Sequence, residues 1–301
     1  MTHGPAPARP RAGLKAALDD LYASYNEADA VADPVNLVRR YPAGADREVV
    51  GFFASGLAFG RVASILQSIG RLLSVLGPAP SAFVREFDPG RDGGAFGPLG
   101  HRWTRGEDLA ALVLLLRRMM EEAGSIEGFF LRGHDAGSVD VEPSLESFSR
   151  RALALAGPAH PRRRGLSYFF PRPSGGSACK RLNLYLRWMV RADGVDLGAW
   201  SGVSRSQLIV PLDVHVIRVG RCLGLTRRLS PGWRMASEIT SALRQLDPDD
   251  PVRYDFALCH VGMRGQCGLN RPSLDSRCPL RGWCQPGRRT RRASPPPSDR
   301  R

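Results

Sequence analysis

The sequence predicts an all-α fold, and three observations lead to that class. Apolar residues recur at helical spacing in several segments, strand-like alternation is weak along the whole chain, and capping and stop residues bound the helical segments. Apolar residues make up 43% of the 301 positions, which is ordinary for a globular protein. We therefore expect a helical bundle with a substantial buried core, built as one large domain or two smaller ones.

The first helices follow from amphipathic segments that glycine and proline separate. We expect helices over residues 14–25, 46–59 and 61–76. Gly60 breaks the pattern between the last two, and Gly77, which proline follows, stops the third.

Capping residues mark the helices of the middle region. Thr104 and Glu107 form a capping box that starts the clearest helix, and Gly124 lies beyond its end. Ser125 is expected to cap a short helix and Ser144 a longer one.

Residues 158–176 interrupt the helical pattern with Arg, Pro and Gly, and this segment is either a linker between domains or a functional loop. Beyond it, an apolar stripe predicts a helix over 182–190. Asp213 is expected to cap the next helix. Asp250 stands ahead of a proline and is expected to cap a helix that reaches 252–263.

Composition divides the chain into four regions. Residues 1–12 and 288–301 are rich in Pro, Ala, Ser and Arg without an apolar period, which is typical of disordered tails. Between them, 13–100 forms an N-terminal helical region and 101–287 forms the core that carries the motifs and a C-terminal cysteine-containing loop. The N-terminal region is either a separate domain or the completion of the bundle.

The charge balance favours a polyanionic partner. The chain has 43 Lys and Arg against 29 Asp and Glu, a net charge of +14, and neutralising phosphates with such a surface releases counterions. A solubilising surface with a basic tail is the alternative. The longest apolar run, 109–116, is too short to span a membrane, and the N-terminus lacks the pattern of a secretory signal. We expect a cytoplasmic, nucleoid-associated monomer that binds double-stranded DNA and no membrane.

Lysine is rare in this chain, and one lysine lies beside a glycine turn. Only two of the basic residues are lysine, Lys15 and Lys180, and arginine cannot lose its proton and attack an electrophile as lysine can. Lys180 begins the helix after the turn, on its polar face. Backbone amides at the turn and cations on this face are expected to contact phosphates. The residues concerned are Gly175, Gly176, Ser177, Arg181 and Arg187.

Asp213 lies 33 positions after Lys180 (213 − 180), in the segment PLDVHVIRVGRCLGL. On the local sequence its simplest role is a helix N-cap. The segment also resembles the Val-Asp-Thr-His-Ile-x-Arg-Val segment of the helix-hairpin-helix DNA glycosylase superfamily, which includes endonuclease III. Asp213 matches the catalytic aspartate of that superfamily, and His215 and Arg218 match its His and Arg, which implies that they contact DNA.

The resemblance covers roughly residues 105–285 and extends to the hairpin. The glycine turn and the helix after it resemble the superfamily's hairpin, so that Lys180 matches the nucleophilic lysine of its bifunctional members. The hairpin differs from the usual Leu-Pro-Gly-Val-Gly, because it reads Pro-Ser-Gly-Gly-Ser from Pro173. The Lys–Asp interval is closer to that of archaeal 8-oxoguanine glycosylase. The whole chain also resembles an uncharacterised bacterial family distantly related to these enzymes.

This resemblance implies a glycosylase-like helical bundle with a DNA-binding cleft. It implies a base-excision repair enzyme that removes damaged bases, oxidised purines being one candidate, and cleaves abasic sites as a lyase. Lys180 would be the nucleophile and Asp213 the catalytic carboxylate. Two alternatives stay open at this point, a non-catalytic nucleic-acid-binding protein that keeps the scaffold and an interaction protein whose charge reflects its arginine-rich composition. The sequence does not identify the base.

Six cysteines are present, and the last four have the spacing C-x7-C-x10-C-x5-C. The end of this stretch resembles the C-terminal C-x6-C-x2-C-x5-C loop of endonuclease III-like enzymes, which holds a [4Fe–4S] cluster, although the middle cysteine is not where the family has it. The resemblance implies a cluster; zinc or no metal are the alternatives. The four ligands would be Cys259, Cys267, Cys278 and Cys284. Cys179 and Cys222 are expected to be packing residues.

Overall fold

The computed structural model describes residues 11–25, 29–156, 164–267 and 277–283. The segments 1–10 and 288–301, which belong to the two expected tails, and Cys284 lie outside these ranges. The predicted all-α class is confirmed, because the described chain is mostly helical. Its helices are α1 (Arg11–Ala23), α2 (Val35–Arg39), α3 (Ala45–Gly56), α4 (Val62–Leu76), α5 (Pro80–Glu86), α6 (Pro89–Asp92), α7 (Gly106–Ala123), α8 (Ile126–Leu131), α9 (Glu142–Leu155), α10 (Arg164–Phe169), α11 (Lys180–Val190), α12 (Val214–Cys222), α13 (Trp233–Arg244) and α14 (Asp255–Met263).

A two-stranded hairpin between α6 and α7 was not expected from the sequence. Strand β1 (Gly100–His101) pairs antiparallel with β2 (Thr104–Arg105). Arg102 in the turn has φ 55, a left-handed conformation that non-glycine residues rarely adopt. This hairpin shifts the start of α7 past Thr104, because that residue pairs in the strand. Asp108 therefore accepts the cap hydrogen bond, from the Arg105 amide at 3.0 Å, and the predicted capping box at Thr104 is wrong.

Two other predicted helix starts are wrong because the residues have tertiary partners. Ser144 lies inside α9, fully buried, with its hydroxyl 2.9 Å from a ring nitrogen of His134. Asp250 does not cap α14, which begins five residues later; its carboxylate accepts hydrogen bonds from Arg191. The cap predicted at Ser125 is confirmed, since its hydroxyl accepts from the Gly128 amide at 2.8 Å.

One hydrophobic core runs through the described chain and includes residues from both 13–100 and 101–287. Helix α3 packs against α11, α7 packs against α8 and α9, and α12 packs against α14. Phe52 of α3 contacts the rings of Phe148, Phe170 and Tyr185, which belong to three later segments. The N-terminal helices therefore complete the same core that positions the beginning of α11.

Glu48 is a buried carboxylate that fixes α3 to two distant segments. Its oxygens accept hydrogen bonds from the amides of Ile126 and Glu127 and from the indole of Trp200. In the described ranges no single helix is long and apolar enough to cross a membrane, although α4 and α5, bent by 60° at their junction, meet that description as a pair.

Candidate functional site

Lys180 is the first residue of α11, and its side chain is half-buried. Its amine donates a hydrogen bond to the carbonyl oxygen of Ala58 at 3.2 Å, just beyond the end of α3. Cys179 precedes it in a left-handed conformation with φ 48, and the Ser177 hydroxyl accepts from the Cys179 amide at 3.1 Å. The loop and the α3 terminus together hold the amine at the start of the helix.

Asp213 caps α12, as predicted. One carboxylate oxygen, Oδ1, accepts from the amides of His215 at 2.9 Å and Val216 at 2.8 Å. The other oxygen, Oδ2, accepts a hydrogen bond from the Cys259 thiol of α14 at 3.3 Å. Capping therefore occupies one oxygen of the carboxylate, and the second faces the neighbouring helix.

The charges of both predicted catalytic residues, Lys180 and Asp213, act on the Cys259 thiol. Burial raises the pKa of Cys259 well above its ordinary value, and the carboxylates of Asp213 and Asp255 raise it further. The positive charge of Lys180 acts on the same thiol in the opposite direction. A thiol surrounded in this way stays protonated at neutral pH. It is suited to donate a hydrogen bond to Asp213.

The glycine turn is used differently from the prediction. The amides of Gly175 and Gly176 donate to carbonyls within the turn, at 3.1 and 2.8 Å, and the Gly176 carbonyl accepts from the Trp233 amide of α13. These two glycine amides are therefore already used within the protein, and the DNA contacts of Gly175 and Gly176 stay predictions. In the part of the chain that the structure describes, the amides of Ser177 and Ala178 have no protein acceptor. These two are the donors that the turn offers to a ligand.

Arg187 does not lie on a solvated cationic face. The residue is 3% exposed, and its guanidinium donates to Asp196 at 3.1 Å and to Asp255 at 2.5 Å in the interior. Arg191, one turn further, is similarly enclosed and pairs with Asp250 as well as Asp196. The predicted phosphate contact of Arg187 is wrong, because the sequence pattern does not reveal the acidic partners that other segments bring to this face.

The Arg181 side chain is also held by contacts within the protein. Its guanidinium lies 3.1 Å from the centroid of the Tyr168 ring and donates to the Tyr168 carbonyl. Burial lowers the pKa of Arg181 to about 10. The direct phosphate contact predicted for Arg181 does not fit this placement.

His215 and Arg218 lie half-buried on α12. His215 packs against α14 at Gly262, where an added β-carbon would lie 2.6 Å from the His215 β-carbon, and its buried Nδ1 has no hydrogen-bond partner among the described residues. Arg218 forms no ion pair within those ranges. The DNA contacts of His215 and Arg218 stay predictions.

The four cysteines predicted to hold an iron–sulfur cluster have different surroundings. Cys259 does not fit as a ligand, because its sulfur hydrogen-bonds to Asp213 and lies against two carboxylates that disfavour a thiolate. Cys267 and Cys278 are buried, and Cys284 lies outside the described residues. Within the described ranges no three His, Cys, Asp or Glu residues are grouped to hold a metal ion. The cluster stays a prediction.

Sequence reasoning missed the contact between Cys259 and Asp213. It treated the cysteine as a metal ligand because of its position in the cysteine series. The local signal that could have indicated the contact is weak: Cys259 follows Asp255 by one helical turn, so that both can face the start of α12.

The fold and site define an all-α protein in which a lysine and a carboxylate lie at the starts of two helices, and the carboxylate accepts a hydrogen bond from the Cys259 thiol. The chain belongs to the family of proteins of unknown function DUF2400, which it matches over residues 33–264. The match includes Lys180, Asp213 and Cys259 and ends before the other three cysteines of the predicted cluster. No curated protein and no solved structure matches the chain.

Proposed function

We propose that this protein is a DNA glycosylase with lyase activity that acts on damaged bases in double-stranded DNA. Its bundle would be of the helix-hairpin-helix glycosylase type, with a DNA-binding cleft at the start of α11. Lys180 is the nucleophile and Asp213 the catalytic carboxylate. Oxidised purines are the first lesions to test, since the Lys–Asp interval is closest to that of the archaeal 8-oxoguanine enzymes.

The observation that carries the proposal is the shared action of Lys180 and Asp213 on the Cys259 thiol. They are 33 positions apart (213 − 180), yet one bonds to the thiol sulfur and the other acts on it through its charge. Lys180 stands at the start of α11, where backbone amides favour anionic groups such as phosphates, whereas the Asp213 carboxylate itself binds the amides at the start of α12. One primary amine and one carboxylate near a phosphate-binding position are the groups that a glycosylase-lyase requires.

The chemistry assigns a step to each group. The Lys180 side chain leaves the Ala58 carbonyl, and its nitrogen attacks C1′ of a nucleotide flipped out of the DNA helix. The bond from C1′ to the base breaks, and the base departs with its electron pair and takes up a proton. Asp213 stabilises the positive charge that develops on the sugar and accepts the proton that the attacking amine loses.

Strand cleavage follows from the same adduct. The C1′–O4′ bond breaks as the Lys180 nitrogen forms a Schiff base with C1′, and O4′ leaves with the bonding electrons and takes up a proton, which opens the sugar ring. Loss of a proton from C2′ expels the 3′-phosphate, which breaks the strand. Water then hydrolyses the imine and returns the lysine amine.

Arginine and amide donors support a DNA partner near this site. The Ser177 and Ala178 amides are without protein acceptors in the described chain, and Arg218, five residues after Asp213 on α12, forms no ion pair among the described residues. The net charge of +14 favours phosphate binding over the whole molecule. The hydrogen bond from the Cys259 thiol orients Oδ2, the carboxylate oxygen of Asp213 that does not cap α12.

Borohydride trapping tests the proposal. We expect a covalent adduct with abasic or 8-oxoguanine duplex, and its loss in both Lys180→Gln and Lys180→Arg. Lys15→Gln is a matched control, because Lys15 is the other lysine of the chain and pairs with Asp19 on α1. Peptide mapping of the adduct to position 180 separates it from reaction at the N-terminal amine. Asp213→Asn keeps an N-capping side chain and should lower the rate by about 10²- to 10⁴-fold.

Three outcomes would count against the proposal. An adduct that persists in Lys180→Gln would remove the lysine from the reaction. Salt-dependent duplex binding without any adduct would favour the non-catalytic scaffold. Failure to bind duplex DNA even at low salt would favour the third hypothesis, an interaction protein whose charge reflects its arginine-rich composition.

A further inference from the structure

A basic cleft lies close to the Lys180 site. A cleft of about 400 Å³ opens between α4 and the β1–β2 hairpin, and Arg61, Arg71 and Arg102 line it. The residues described along its wall include no Asp or Glu, and the three guanidinium groups form no ion pair within the described chain. Unneutralised arginines around a concave surface create a positive potential that attracts anions.

Regular structure holds this surface in place. Ser64, Ser68 and Arg71 recur at spacings of four and three along α4, so they share a face of the helix. The buried His101 fastens the hairpin to that face. Its Nδ1 lies 3.0 Å from the Ser68 hydroxyl, and its Nε2–H donates to the Phe59 carbonyl at 2.7 Å.

An exposed aromatic ring, Trp103, follows Arg102, which lines the cleft. Trp103 is 57% exposed, stacks on Phe59 at 4.7 Å with an interplanar angle of 24°, and meets Tyr168 edge-on at 5.4 Å. Arg181 also packs on this aromatic cluster, through its contact with the Tyr168 ring. The ring is therefore fixed by its neighbours while much of its surface faces solvent.

Arg102 joins the ring to the cleft. Its guanidinium carbon lies 5.3 Å from the Trp103 ring centroid, and the residue also lines the cleft. Its left-handed backbone, φ 55, is an unfavourable conformation for arginine that the hairpin nonetheless retains. Cationic groups for phosphates next to a rigid exposed aromatic ring are the combination that binds unpaired nucleotides.

We propose that this cleft binds an unpaired nucleic-acid strand, with a phosphate or phosphates held by Arg61, Arg71 and Arg102 and a base stacked on Trp103. A duplex would not present the face of a base to Trp103, so the strand must be single or locally opened. The site adjoins Lys180, because the Ala58 carbonyl that Lys180 bonds is two residues from Gly60 in the cleft wall, at most about 7.6 Å between Cα atoms. The proposal shares the nucleic-acid partner of the proposed function but requires no chemistry at Lys180.

Binding of a labelled, undamaged oligothymidylate of about one dozen nucleotides to the full chain tests this site, at several salt concentrations. Trp103→Ala should weaken binding by about 5- to 150-fold, which corresponds to the loss of one base–aromatic stack. Trp103→Phe should restore part of that loss. The double variant Arg61→Gln/Arg71→Gln should reduce the slope of log affinity against log salt by about 0.7 for each phosphate that the arginines no longer neutralise. Arg205→Gln, which changes an exposed arginine outside the cleft, is the matched control.

The outcomes distinguish this site from the lyase site. Equal affinity of the Trp103→Ala variant, or equal weakening in Arg205→Gln, would overturn the proposal. Displacement of the oligonucleotide by thymidine monophosphate with the same affinity as by a second strand would assign the cleft to free nucleotides and would also overturn it. Because the probe is undamaged, a failure of trapping at Lys180 does not affect this measurement. Circular dichroism of each variant excludes unfolding as the cause of weaker binding.

Discussion

Substitution of Arg187 by methionine is expected to destabilise the protein by about 3–5 kcal/mol, because it leaves the buried carboxylate of Asp255 without its counter-charge and leaves Asp196 with Arg191 alone. The arginine is 3% exposed, and its partners Asp196 and Asp255 are each 2% exposed. Nε donates to Asp196 at 3.1 Å and Nη1 to Asp255 at 2.5 Å. Typical unfolding free energies are about 5–15 kcal/mol, so the loss is a large share of the stability.

The loss of stability in Arg187→Met should become larger as pH rises. Burial raises the pKa of Asp255 from 3.8 to about 6, although Arg187 acts to lower it. Between these values the folded state holds a proton that the unfolded chain has released, so the contribution of Asp255 to stability falls as pH rises from about 4 to 6. Without Arg187 the pKa of Asp255 rises further, and the fall continues above pH 6. The difference in unfolding free energy between the variant and the unchanged protein should then grow by at most about 1.4 kcal/mol per pH unit, from the titration of Asp255.

Urea unfolding at pH 5.5 and pH 8 measures this, with Arg218→Met as the matched control. Arg218 is half-buried and forms no ion pair among the described residues, so its replacement should change stability by less than about 0.5 kcal/mol while weakening duplex binding. An Arg187→Met variant as stable as the unchanged protein at pH 8 would refute the reasoning. So would a variant that keeps full stability and loses only DNA binding, since that is the behaviour of an exposed arginine that binds phosphate.

Three further predictions concern the scaffold and the cysteines. Glu48→Gln should destabilise by about 1–3 kcal/mol, since an amide NH₂ would face the Ile126 amide; Glu121→Gln, in an exposed pair, should change little in the same denaturation assay. Gly262→Ala should cost about 1–3 kcal/mol and reduce trapping, because its β-carbon would press on His215 and separate α14 from the Asp213 cap; normal trapping would contradict this. Iron analysis of anaerobically purified Cys259→Ala should match the unchanged protein, and a selective loss of iron would restore this cysteine as a ligand.

The local structure was largely predictable from the sequence. Helical spacing and glycine stops predicted α3 and α4 within a few residues, and short-range chemistry identified the caps at Ser125 and Asp213. These features depend on residues a few positions apart, where spacing and capping chemistry act. The hairpin was missed because each of its strands has only two residues. Helix α13 was missed although its 12 residues carry apolar side chains at helical spacing.

The sequence predicted that Lys180 and Asp213 belong to the candidate site, but it did not predict the contacts that surround them. The rarity of lysine and the pattern around Asp213 indicated both residues from sequence. The contact of Cys259 with Asp213 joins segments 46 positions apart. The stacking of Phe59 on Trp103 likewise joins two segments that are distant in the sequence, so neither contact could be inferred from local patterns.

The charged residues show most clearly which properties the sequence determines and which depend on tertiary packing. The sequence determined that this chain is all-α, basic and nearly free of lysine. Only the tertiary structure decided which cations face water. Arg187 lies on the polar side of its own helix, yet three-dimensional packing brings Asp196 and Asp255 against it and makes it an interior residue. Arg71 has a similar local setting, but no acidic segment of the described chain folds onto it, and it lines an open cleft. A side chain's environment is set by the segments that meet it, and these lie far from it in the sequence.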